Sequence, residues 1–104
     1  MRALAAAALA AFVLPVSAAD LPPRPARLGL CAACHGETGQ AVAPGTPHLA
    51  GQDAAYLRQA LAAYRSGARD VAVMRAAVGA LGDADADALV RWYAAQPRCA
   101  GAAN

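Results

Sequence analysis

The hexapeptide CAACHG, residues 31–36, sets two thiols and an imidazole within five consecutive positions of a chain that is otherwise alanine-rich and chemically quiet. Four readings fit that spacing: a dithiol switch, a zinc knuckle, a haem attachment site and an accident of composition. A thioredoxin-like switch needs its CxxC at the start of a helix that follows a strand, and nothing before Cys31 has a strand pattern. A structural zinc site needs four ligands at set spacings. The candidates Cys31, Cys34, His35, His48 and Cys99 match no common finger, and neighbours such as Cys34 and His35 converge poorly on one tetrahedral ion.

The haem reading uses every part of the motif. Cysteines three apart on a helical turn can each form a thioether to one of two vinyl groups on a porphyrin edge, and the next residue, His35, can turn its imidazole under the iron; CxxCH is the signature of c-type attachment. Such attachment takes place outside the cytoplasm, and the chain start agrees. MRALAAAALAAFVLPVSAAD has Arg2 at its head, an apolar run from Ala3 to Leu14, then Pro15 and the small residues Ser17, Ala18 and Ala19. That order is expected of a secretory signal over residues 1–19, cut after Ala18 or Ala19. The 17 residues from Ala3 to Ala19 are at the lower limit for a membrane span. They lead into the proline-rich LPPRP rather than a basic stop-transfer cluster, so the mature protein is not expected to be integral in the membrane.

Removal of the signal leaves residues 20–104, 85 in all and enough for one domain. A core of this size is marginal unless a cofactor or disulfide completes it. Haem is a large apolar disc, and the chain without it is expected to fold poorly. The mean hydropathy of +0.32 reflects the signal and the alanines. Every basic residue is arginine; eight remain after the signal, against seven acids. Such a balance carries no nucleic-acid footprint. The three cysteines are odd in number for an exported protein and argue against a simple disulfide framework.

Along the mature chain, Pro22, Pro23 and Pro25 limit the first helix to a short segment from about Pro25 to Leu30. The run from Glu37 to Gly51, dense in Gly, Pro and Thr, reads as an irregular loop of the kind that serves a site. DAAYLRQALAAYRSG, residues 53–67, is the clearest helix: Tyr56, Leu57, Ala60, Leu61 and Tyr64 recur at helical spacing, with Asp53 placed to cap the start and Gly67 the end. A short helix is expected just after Met74. DADADALVRWYAAQ closes the chain as a helix with acids in its first turn and Pro97 beyond its end, packing through Leu89, Trp92 and Tyr93. The fold class is all-α, three to five short helices around a loop-rich site.

The segments CAACHG, PHLAGQDAAYLRQAL, YRSGAR and MRAAVGALGDADADALVRWYAAQ together resemble a class I c-type cytochrome of the small bacterial periplasmic kind, over almost the whole mature chain. The resemblance implies a cytochrome c fold wrapped around one covalent haem c. It assigns Cys31 and Cys34 as the thioether cysteines, with His35 and Met74 as the axial ligands of the iron. It also implies that the Pro47 carbonyl orients His35 and that Leu49 packs near the ring, with Leu28 or Gly29 meeting Trp92. Met74 is the only methionine of the mature chain, and His48 is its rival as distal ligand. Arg65 and Arg69 are candidates for the haem propionates, while Tyr56 and Tyr64 are expected in the core. The implied function is one-electron transfer in the periplasm between larger redox partner proteins, without catalysis. The alternative is a haem-bearing relay subunit of a periplasmic dehydrogenase or oxidase complex.

Overall fold

The structure, a computed structural model, describes residues 2–15, 17 and 20–98. From these the chain builds four helices and, among the described residues, no strand: α1 (Leu28–His35), α2 (Ala54–Ser66), α3 (Ala72–Gly79) and α4 (Asp83–Ala94). The expected all-α class holds. Residues 2–15 form no regular element and are exposed, Leu4 and Phe12 included. The expected cleavage positions Ala18 and Ala19, and the odd cysteine Cys99, lie outside the described residues.

The first helix departs from its expected position. It starts at Leu28 rather than near Pro25 and runs on through Cys31, Cys34 and His35. Pro25 lies just ahead, its carbonyl accepting from Leu28 N at 3.2 Å. Nothing after it breaks the helix until Gly36, because LGLCAACH contains no proline and no β-branched residue. Gly36 ends it for a steric reason: its φ is 79°, and a Cβ there would collide with the carbonyl oxygen of Gln40.

Helix α2 forms where the capping signals stand. Asp53 Oδ1 accepts from Tyr56 N at 2.8 Å, and Gly67 closes the far end in the left-handed region. Its periodic face is narrower than expected: Leu57 is buried, Ala60, Leu61 and Tyr64 are half-buried, and Tyr56 is 48% exposed. Tyr56 is therefore a surface residue. Helix α3 begins at Ala72, so Met74 sits within its first turn instead of preceding it. In α4, Asp83 and Asp85 occupy the first turn, where the helix dipole favours negative charge.

Helix α2 packs against α3 and α4. The core unites Leu28 of α1 with Leu57, Leu81, Leu89, Val90, Trp92 and Tyr93. Of the expected pair, Leu28 is the residue that joins Trp92 there, and Gly29 is exposed. Arg65 Nη1 pairs with Asp83 Oδ1 at 2.7 Å and Arg58 Nη2 with Asp87 Oδ1 at 3.0 Å, lacing α2 to α4 along their rims. Exposed pairs of this kind add at most about 1 kcal/mol each. Apolar burial therefore dominates, and it is concentrated: Leu28 and Val78 are the largest side chains fully withdrawn from water. Leu28→Ala removes the anchor that α1 places in that core and is expected to cost about 2–5 kcal/mol. Urea unfolding measures it, and a loss below about 1 kcal/mol would show that α1 does not depend on this residue.

Candidate haem site

Helix α1 carries the three chemistry-bearing residues of CAACH. Cys31 and Cys34 are three apart, which sets their Cβ atoms roughly 5–6 Å from each other on adjacent turns. Cys31 is half-buried against the core and Cys34 exposed; neither is in a disulfide. Burial pushes the Cys31 thiol above its ordinary value. That is the reverse of what a dithiol switch needs in its attacking sulfur. Among the described residues, no three His, Cys, Asp or Glu side chains cluster as metal ligands, so a zinc knuckle has no ligand set there.

His35, the last residue of α1, is 7% exposed, and its Nδ1 lies 2.9 Å from the carbonyl oxygen of Pro47. A carbonyl can only accept, so Nδ1 carries a proton, and in the neutral ring Nε2 keeps its lone pair. The donor set fits a haem: two sulfurs on one helix face, and beside them an imidazole whose available nitrogen is an acceptor. His48 has the opposite arrangement. Its Nδ1 accepts from the backbone N–H of Ala41 at 2.9 Å, which in the neutral ring puts the proton on Nε2. A protonated Nε2 has no lone pair to offer iron, which weighs against His48 as the distal ligand. Met74 is half-buried in the first turn of α3.

The loop from Gly36 to Gln52 holds no regular element and is fastened at several points. Val42 N and Ala43 N donate to the Cys34 carbonyl at 2.9 and 3.3 Å, occupying an acceptor that the end of α1 leaves unpaired. Leu49 N and Ala50 N donate to the Gly39 carbonyl at 2.8 and 3.2 Å, drawing the two arms of the loop together. Leu49 packs against the core cluster. Helix α4 then clamps both ends. Trp92 Nε1 donates to the Glu37 carbonyl at 2.7 Å, Tyr93 Oη donates to the Gly36 carbonyl at 2.9 Å, and Gly51 N donates to the Tyr93 carbonyl at 3.0 Å. Buried Gln96 donates through Nε2 to the Trp92 carbonyl at 3.1 Å.

Sequence reasoning identified Trp92 and Tyr93 as packing residues and missed the carbonyls they hold; it did not single out Gln96 at all. The signal available was that buried Trp and Tyr seek a partner for their polar tips. The candidates for haem propionates have other partners. Arg65 binds Asp83 and the Leu81 carbonyl, and the Arg69 guanidinium lies 4.8 Å over the Tyr64 ring.

The family model for cytochrome c matches residues 28–94. Cytochrome c-554(548) of Halomonas halodenitrificans is 40% identical over 73 residues, covering 67% of this chain and 88% of that protein. Cytochrome c4 of Pseudomonas aeruginosa is 33% identical over 88 residues, 85% of this chain and 44% of the relative. A thiosulfate dehydrogenase electron acceptor of Stutzerimonas stutzeri is 43% identical over 68 residues. That match covers 64% of this chain and 32% of the relative, so the chain spans less than half the length of the last two proteins.

Burial, and then the charge of Glu37, push the Tyr93 phenol above its ordinary value. The folded state thus holds this proton more tightly than the unfolded chain. The resulting stability is complete below the unfolded value near 10 and is lost as pH rises from there toward the folded value. Tyr93→Phe is expected to cost about 1–3 kcal/mol at pH 7 by leaving the Gly36 carbonyl unpaired, and to flatten the alkaline decline. Urea unfolding at pH 7 and pH 11 checks both; equal alkaline declines in the two proteins would remove Tyr93 from the explanation.

Proposed function

The chain belongs to the cytochrome c family, carries one covalently bound haem c and transfers electrons, and on that premise we propose that it is a periplasmic one-electron carrier held at iron by His35 and Met74. Cys31 and Cys34 fix the porphyrin edge to α1 through thioethers. His35 would supply Nε2 from the end of α1, and Met74 would supply its sulfur from α3. The observation that carries this reading is the hydrogen bond from His35 Nδ1 to the Pro47 carbonyl at 2.9 Å, which fixes the ring and the tautomer that iron requires.

The haem, when bound, would supply one-electron chemistry at this site. The thioether of Met74 favours the reduced state relative to a second imidazole, which sets the potential moderately high. With both His35 and Met74 as ligands no position would be left for a substrate, and the carrier would have no catalytic role of its own. The exposed apolar side chains of residues 2–15 support their assignment to a signal that is removed, leaving residues 20–104 as a single haem domain outside the membrane. No helix among the described residues is long and apolar enough to cross a membrane.

A second reading, a relay subunit within a dehydrogenase or oxidase complex, is favoured by the similarity to a thiosulfate dehydrogenase electron acceptor. Both readings require redox partner proteins as donor and acceptor. Purification from the native periplasm separates them: a shuttle elutes alone, whereas a relay subunit travels with a catalytic chain.

Protein matured with haem-attachment machinery is expected to keep its colour on the polypeptide through acid-acetone extraction; colour that extracts would refute the thioethers at Cys31 and Cys34. Met74→Ala is expected to abolish the weak far-red sulfur-to-iron band and to lower the reduction potential. A variant retaining both would remove Met74 from the iron.

A further inference from the structure

Two histidines flank Pro47 in the network just described, one ahead of it in space and one next to it in sequence. His35 gives its Nδ1 proton to the Pro47 carbonyl, and His48, joined to Pro47 by that same peptide unit, receives the Ala41 N–H on its own Nδ1. The carbonyl that orients His35 therefore belongs to the peptide whose other end carries the His48 backbone. Whatever fixes His48 fixes the direction of that carbonyl.

We infer that His48 is a positioning residue for His35: the Ala41 N–H to His48 Nδ1 bond holds the Pro47–His48 peptide at the angle at which its oxygen meets His35 Nδ1. Ala41 is itself placed from α1, because its neighbours Val42 and Ala43 donate to the Cys34 carbonyl. The chain of contacts closes on itself: Cys34 to Val42 and Ala43, Ala41 to His48, and Pro47 back to His35. A closed ring of this kind leaves the peptide no independent swing. Pro47 contributes stiffness through its fixed φ but cannot set its own ψ, on which the carbonyl direction depends. The His48 anchor supplies that restraint.

The consequence for the iron is electronic as well as steric. A hydrogen bond from Nδ1–H to a carbonyl raises the basicity of Nε2, and a more basic imidazole stabilises the oxidised metal. Loosening the Pro47 carbonyl is expected to weaken that donation and raise the reduction potential. The inference rests on the reading of His35 as the proximal ligand.

The discriminating pair is His48→Asn against His48→Gln. The Asn Oδ1 can take the position of imidazole Nδ1 and accept from Ala41, whereas the Gln oxygen lies one carbon further out and cannot do so without displacing the loop. In the reduced holoprotein at fixed pH, hydrogen exchange of the His35 Nδ1–H and of the Ala41 amide is followed by NMR, and the reduction potential is measured alongside. His48→Gln is expected to speed both exchanges roughly fivefold or more, the factor for one net hydrogen bond, and to raise the potential. His48→Asn is expected to restore both properties towards the parent. Gln and Asn variants that behave alike, or a Gln variant indistinguishable from the parent, overturn the inference. A separate control tests its premise: if His35→Ala keeps a six-coordinate low-spin spectrum, the proximal assignment fails, and the inference fails with it.

Discussion

Two adjacent aromatic side chains on the last helix hold the backbone on which the site is built. Trp92 and Tyr93 bury their rings in the core, and their polar tips take the carbonyls of Glu37 and Gly36, the first residues after the CAACH segment. Each group satisfies the other: a buried indole N–H or phenol needs an acceptor, and carbonyls at a helix end need donors. The backbone of Tyr93 takes the far end of the loop through Gly51 N, so one residue governs both ends of the segment containing Pro47 and His48. Removing this clamp would leave α1 tied to the rest of the protein through the packing of Leu28, Cys31 and Ala32 and through the loop bonds at Cys34 and His35.

The two imidazoles illustrate how a small protein sorts chemically identical groups. His35 faces a carbonyl through Nδ1 and His48 faces an amide through its own Nδ1, and in neutral rings those contacts call for opposite proton positions. Only the first ring presents a lone pair on its outer nitrogen. Backbone groups thus distinguish the two rings, while the described ion pairs of the chain lie at its rim.

Features written locally were legible in the sequence. The thiol spacing and the adjacent imidazole declared a haem, and Asp53 and Gly67 marked the limits of α2. Proline content misled the placement of α1, because the three prolines before it delay its start without limiting how far it runs. Helical periodicity placed Tyr56 in the core, but the buried stripe of α2 is only wide enough for Leu57, and the other periodic positions line its edges. The long-range pairings were not legible: nothing in CAACH announces that the next two carbonyls meet side chains 55 and 57 positions later. The Gln96 bond to the Trp92 carbonyl is local at four residues, but it depends on a burial that only the assembled fold creates.

That separation also orders events in time. Contacts joining distant positions close late, after neighbouring residues have coiled, because the intervening chain must first give up its freedom. A polypeptide emerging amino end first presents its two sulfurs well before the aromatic pair that will cover the adjoining backbone has appeared. On that order the two sulfurs stand open before the aromatic pair closes over the backbone beside them.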